Sequence, residues 1–338
     1  MIELSKGTTL RSSKRERSER LGLHTLQLTM LAALCIVASR SSNFSFVSRD
    51  KTMTQLLTEA HPPIPLEELL ERLHGFQTAL LEAKKGLIAD LVAAHPLLNV
   101  AWGQGWRYRR ARIVANDAPL EHVREFLWPP KPSEGRLSVG QRHIFYVADR
   151  VETALRESDV QAAHVALSEF VIRPGLSTHV CPIGELAAFI RTGRGNLIPA
   201  LDALKDAINA CPRDQARSLL ITDAFLYEQL AGQDDYALSS CVAELVFSRL
   251  PQVTVLAYRS KKQHGAMNFG VSVDSFWNTW GLFSARRCNA THLTQGVYRL
   301  DALRHVTGIH TDGRLEWSGE PEAVESVIQL DPPYFPIA

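Results

Sequence analysis

Residues 135–157 read GRLSVGQRHIFYVADRVETALRE. A glycine-arginine pair opens the stretch in a polar loop. His143–Ala148 is a short apolar run with the β-branched and aromatic character of a buried strand. A turn follows, and Val151–Glu157 has helical spacing that ends on a carboxylate. A guanidinium (Arg136), a phenol (Tyr146) and an acid (Glu157) therefore fall on a loop, a strand and a helix within 23 residues. Such groups suit a ligand that carries phosphate, a ring and a sugar.

Upstream, Trp106–Val114 (WRYRRARIV) has strand formers at both ends and four arginines, Arg107, Arg109, Arg110 and Arg112. Alternation sends Arg110 and Arg112 to one face and Arg109 to the other. A basic strand is ordinarily a solvated edge, but one this dense also suits the floor of an anion site. Before it, Leu66, Leu69, Leu70, Leu73, Phe76, Leu80, Leu87, Ile88 and Leu91 follow helical spacing, with Pro65 at the first turn and Gly75 and Gly86 as weak points. The apolar stripe needs a surface to pack on, either the following domain or a second copy of the chain.

Downstream, Gln161–Ile172 reads as a strand, and Gly184–Thr192 and Leu197–Ala210 read as helices. Thr222 is placed to cap a helix over Asp223–Ala231. Tyr236–Leu250 is a further helix, and Val253–Tyr258 is a strand that runs into Arg259-Ser260 and a polar loop. The C-terminal part reads as strands at Val297–Leu300, Val306–His310 and Arg314–Trp317, with an Asp312-Gly313 turn before the last. The fold class is α+β, with helices around a mixed β core and an N-terminal helical segment. No G-x-G-x-x-G follows a strand and no G-x-x-x-x-G-K-[ST] occurs, so a Rossmann or P-loop site is not supported.

The chain of 338 residues divides into 1–52, a basic extension that is disordered or mis-started from an upstream codon; 53–99, the helical segment; 100–320, the main domain; and 321–338, a tail. The apolar run Met30–Ala38 also has the look of a signal peptide, but it is too short to span a bilayer. Residues 1–49 hold eight Lys/Arg against three Asp/Glu, and the whole chain 37 against 36. The remainder is therefore mildly acidic, which argues against general nucleic-acid binding. The five cysteines, Cys35, Cys181, Cys211, Cys241 and Cys288, form no C-x-x-C pair. Reduced thiols in a cytoplasmic protein are expected, with no metal site, no membrane span and no nucleic acid bound directly.

Taken singly, a surface arginine, a core tyrosine, a solvated glutamate and a loop serine account for these residues. Their order adds more. Arg110-Ala111-Arg112, Gly135-Arg136-Leu137-Ser138, Phe145-Tyr146-Val147-Ala148, Thr153-Ala154-Leu155-Arg156-Glu157 and Tyr258-Arg259-Ser260, followed by Gly265 and Asn268, stand in sequence. Over about Trp106–Trp317 this chain resembles the RES family, named for its arginine, glutamate and serine. Ser138 departs from the family's asparagine, and the first arginine is ambiguous by one position with Arg109.

The resemblance implies a fold like that of ADP-ribosyltransferases and cleavage of NAD at the nicotinamide-ribose bond, by water or by phosphate. The protein would then be an NAD glycohydrolase or phosphorylase with NAD as substrate and no separate cofactor. By position, Arg110 and Arg136 would hold the phosphates, Tyr146 would pack on the nicotinamide or its ribose, and Glu157 would bind the ribose hydroxyls. Ser260 and Asn268 would finish the pocket, with Arg112 and Ser138 as further binding residues. Several family members are toxins held inactive by a helix-turn-helix antitoxin, so the resemblance makes such an antitoxin an expected partner, while the homodimer expectation rests on the N-terminal helical stripe. The alternatives are an ADP-ribosyltransferase acting on a macromolecule, or a non-catalytic NAD-binding or interaction module.

Overall fold

The computed structural model describes residues 57–115, 120–127, 136–137, 142–193, 195, 197, 202–232, 236–274 and 276–319. The 1–52 extension, the 321–338 tail and Ser138 lie outside them.

The described residues begin with a short helix α1 (Leu57–Ala60). The leucine stripe then folds as two helices, α2 (Leu66–Phe76) and α3 (Leu81–Ala94). The division falls after Phe76, next to Gly75, while Gly86 is carried inside α3. Then come β1 (Val100–Trp102), β2 (Tyr108–Ile113), α4 (Arg124–Leu127), β3 (Ile144–Ala148), α5 (Val151–Glu157), β4 (Ala162–Ile172) and β5 (Thr178–Pro182). Four helices follow: α6 (Glu185–Thr192), α7 (Asp202–Asn209), α8 (Arg213–Ala231) and α9 (Tyr236–Arg249). The last elements are β6 (Val255–Arg259), β7 (Met267–Ser272), α10 (Phe276–Thr279), β8 (Trp280–Thr294), β9 (Val297–Ile309) and β10 (Leu315–Trp317).

The strands form a mixed sheet in the order β1-β5-β6-β7-β3-β2-β4-β8-β9-β10. Among the described residues only the β5–β6 pairing is parallel; the others are antiparallel. Side chains alternate across this sheet. On one face Phe145, Val147, Val255, Ala257, Phe269 and Val271 join a core with Phe170, Leu186, Phe189, Leu204 and Ile208. On the other face two cores lie side by side. Leu256 and Tyr258 pack under α2, α3, α8 and α9, through residues such as Leu69, Ile88, Leu226 and Val242. Ala111, Val165, Leu167 and Cys288 pack under α5 through Val151, Ala154 and Leu155. The N-terminal helices thus bury Leu69, Phe76, Ile88 and Leu91 of the stripe on the body of the same chain, while Leu70 and Leu80 stay exposed.

Two expectations are corrected. Thr222 caps nothing: α8 runs unbroken through it, and the side chain is buried mid-helix. The aspartate beside it does the capping elsewhere. Asp223 accepts from the backbone N–H groups of Gly184 (3.0 Å) and Ala187 (2.9 Å), at the first turn of α6. The separate C-terminal strands at 297–300 and 306–310 are one strand, β9, which pairs with a long β8 that the sequence reading passed over.

The sheet has one weak seam. β3 pairs with β7 over its full length, and β2 with β4 likewise. Between β2 and β3 the only register pair is Arg109 opposite Ala148. Beyond it the two strands part. The opening lies on the face where the helical cover changes from α8–α9 to α5.

Candidate functional site

The seam opens into a cleft of about 320 Å³ lined by Arg109, Arg110, Ala111, Arg136, Tyr146, Val147, Ala148, Ala154, Glu157, Ser158, Tyr236, Tyr258 and Asn268. It lies within the range of small-molecule sites, about 300–1,000 Å³.

One end is built around Glu157, the last residue of α5. Its Oε1 accepts from the Ser260 hydroxyl (2.6 Å) and from the Asn268 amide (2.7 Å). Oε2 has no hydrogen-bond partner among the described residues. The two donors reach it for a topological reason. Asn268 stands opposite both Tyr258 and Ala148 in the register of β6, β7 and β3, and Ser260 follows directly on β6. α5 leaves β3 just after Ala148, so its C-terminal carboxylate returns over that same row. Ser260 is itself fixed, because its Oγ accepts from the backbone N–H groups of Lys262 (3.1 Å) and Gln263 (2.9 Å). Ser260 and Asn268 are both buried, so the carboxylate is held by groups that have no competing solvent. Ser260 acts on Glu157 rather than on the cleft itself.

The other end is built around Tyr146, two residues back along β3, which is roughly 7 Å at the usual strand rise. Its hydroxyl accepts from the backbone N–H of Leu137 (2.7 Å). Leu137 is fully buried against Gly270, where an added Cβ would stand 2.1 Å from Leu137 Cδ1. The missing side chain at Gly270 is what lets the Arg136-Leu137 turn sit this close to the sheet. Arg136 then donates to the Ala231 carbonyl (2.9 Å), at the C-terminal end of α8 where the helix dipole favours a cation. Burial pushes the Tyr146 phenol up to about 12, against the opposing pull of the Leu137 N–H, Arg136 and Arg110. At neutral pH it is a hydrogen-bonding phenol.

Arg109 and Arg110 both line the cleft, but they differ in their partners. Arg109 is neutralised by Glu169, Nε to Oε1 at 3.2 Å, and donates to the Asp149 carbonyl. Arg110 belongs by alternation to the opposite face and reaches the cleft through the seam. Its guanidinium lies 4.9 Å from the centre of the Phe145 ring and donates to the Tyr146 carbonyl at 3.1 Å. Its Nε is buried with no hydrogen-bond partner among the described residues. Burial, reinforced by the charge of Arg112, lowers the Arg110 pKa to about 10, with Tyr146 opposing, so it stays cationic at neutral pH. Arg136 also interacts with the buried Tyr258 phenol, and among the described residues neither Arg110 nor Arg136 has a carboxylate partner. Such a pair gains more from an arriving anion than an arginine already in an ion pair does.

Of the residues expected from sequence, Arg110, Arg136, Tyr146, Glu157 and Asn268 line the one cleft, and Ser260 stands behind Glu157. Arg112 does not line it; it turns to the Glu125 carbonyl (2.8 Å) at α4. Among the other lining residues are two phenols that the sequence reading does not mark as site residues. Tyr258 is a buried phenol that shares the Asn268 row. Tyr236 opens α9 and is 47% exposed as a residue. The strand end Tyr258-Arg259-Ser260 pointed to the first, and nothing local marked the second. Among the described residues no cluster of His, Cys, Asp and Glu is arranged to hold a metal ion, and no helix is long and apolar enough to cross a membrane.

No known protein-family profile matches this chain, and no curated protein matches it.

Proposed function

We propose that this protein cleaves NAD at the nicotinamide-ribose bond, as a glycohydrolase with water or a phosphorylase with phosphate. The observation that carries the reading is the pairing, in one cleft, of a carboxylate fixed through a single oxygen with two guanidiniums that lack acidic partners.

The chemistry follows from that pairing. Nicotinamide in NAD is a cationic leaving group, so it departs as a neutral base with the bonding electrons and needs no strong acid. The barrier is the oxocarbenium-like ribosyl centre that forms as the bond breaks. The free Oε2 of Glu157 supplies negative charge and a hydrogen-bond acceptor for that ribose. Arg110 and Arg136 clamp the diphosphate, converting remote binding energy into orientation at the reacting carbon. Water then adds at the anomeric carbon and loses a proton to give ADP-ribose, or phosphate adds to give its 1-phosphate. The test is purified protein incubated with NAD, with and without phosphate, with free nicotinamide and the ribosyl product measured. Release that depends on Glu157 supports the reading, and folded protein that releases none removes it.

A further inference from the structure

We infer that Tyr236 is the stacking platform for the adenine base of the bound dinucleotide. This rests on the diphosphate lying between Arg110 and Arg136 as proposed above. The cleft is polar in direction. The reacting ribose belongs at Glu157, next to the Asn268 row, and Tyr146 and Arg136 stand further back along β3. A diphosphate held at the arginines then sends its second nucleoside away from Glu157, past Arg136. Tyr236 lines the same cleft beside the Arg136 turn.

Its placement follows from α9. Tyr236 and Ser240 are one helical turn apart and share a face. The Ser240 hydroxyl donates to the Arg136 carbonyl at 3.5 Å, so Tyr236 stands one turn from the contact that pins the arginine. Its phenol is close enough to that of Tyr146 to act on it electrostatically. Tyr236 belongs to none of the three apolar cores. A large aromatic residue left 47% exposed on the wall of a charged cleft contributes little to folding. It offers a π-face to a base and makes no base-specific hydrogen bond necessary.

The experiment is calorimetric titration of the full chain with ADP and, separately, with pyrophosphate, for the wild type, Tyr236→Ala and Tyr236→Trp. Neither ligand carries nicotinamide, so the result is independent of whether NAD is cleaved. The wild type is expected to bind ADP more tightly than pyrophosphate. Tyr236→Ala should weaken ADP by roughly 5- to 100-fold, the usual range for one base–aromatic stack, and leave pyrophosphate unchanged. Tyr236→Trp should keep the ADP affinity. ADP bound equally by the alanine variant and the wild type overturns the inference. So does a wild type that prefers ADP no more than pyrophosphate, or an alanine variant that loses both ligands in equal measure.

Discussion

The Ser260 hydroxyl donates to Oε1 of Glu157 across 2.6 Å, although 103 positions separate the two residues in the chain. Ser260 also gathers the N–H groups of Lys262 and Gln263. One oxygen thus ties the turn after β6 to the end of α5 and aims the carboxylate.

Ser260→Ala should therefore lower kcat for nicotinamide release by roughly tenfold to a hundredfold, the worth of one hydrogen bond to a charged group, with KM little changed. Glu157→Gln keeps the acceptor oxygen for Ser260 and Asn268 but removes the charge, and should abolish release while leaving the melting temperature within a few degrees. Steady-state kinetics alongside thermal denaturation separate the two effects. Equal activity in Glu157→Gln would take the carboxylate out of the mechanism.

Arg110 and Arg112 share a strand face but have different surroundings, and they should answer differently. Arg110→Lys keeps a charge but loses the planar fork, and should raise KM for NAD by roughly tenfold or more. Arg112, bonded to the Glu125 carbonyl, should give a lysine variant with unchanged KM. A shift in KM for Arg112→Lys as large as that for Arg110→Lys would refute the assignment.

Gly270 is required by close approach. Leu137 is fully buried, and the Ile144 Cγ2 methyl lies 3.2 Å from the same added Cβ, so Leu137 has no room to yield. Gly270→Ala should cost about 1–3 kcal/mol of stability, the usual penalty of overpacking. It should also weaken pyrophosphate binding by displacing Arg136. Urea denaturation and titration test both, and an alanine variant of wild-type stability would mean that the turn sits elsewhere.

Asp149, between β3 and α5, has its carboxyl raised from 3.8 to about 6, chiefly by burial, against the Met267 backbone hydrogen bond and the charges of Arg150 and Arg109. The folded chain holds this proton more tightly than the unfolded chain does. This group's contribution to stability is therefore full below about pH 4 and is lost as pH rises through about 6. Asp149→Asn should remove that decline and be the more stable form at pH 8, by at most about 3 kcal/mol. Unfolding free energies of both proteins from pH 4 to 8 check it, and parallel curves would contradict it.

Local pattern carried the elements whose residues announce themselves. Val151–Glu157 is a helix with the bounds its spacing gives, and β3 and β6 are apolar runs. β8 escaped because its buried residues, Trp280, Ala285, Cys288 and Ala290, are small after the first and irregularly spaced. A register shift between Arg287 and Cys288 breaks the period of two. Thr222 looked like a cap because nothing in its neighbourhood shows that α8 has already begun. In the site, Glu157, Ser260 and Asn268 were legible as an ordered set, not as a contact. The different pairing of Arg109 and Arg110 was not legible, since it depends on Glu169, 60 residues away. An aromatic at the head of a helix, such as Tyr236, has no sequence signal that sets it apart from a surface residue.

The long chain separations across the cleft also fix a sequence of events in time. Arg136 waits for Ala231, and the Glu157 carboxylate waits for Ser260 and then for Asn268, 111 positions on. A chain still being synthesised has its arginines and its acid well before it has the groups that hold them. Every intermediate length up to Asn268 is thus a chain with the charged groups and no assembled centre. The late strands β6 and β7 are what close the cluster around Glu157 in a growing polypeptide.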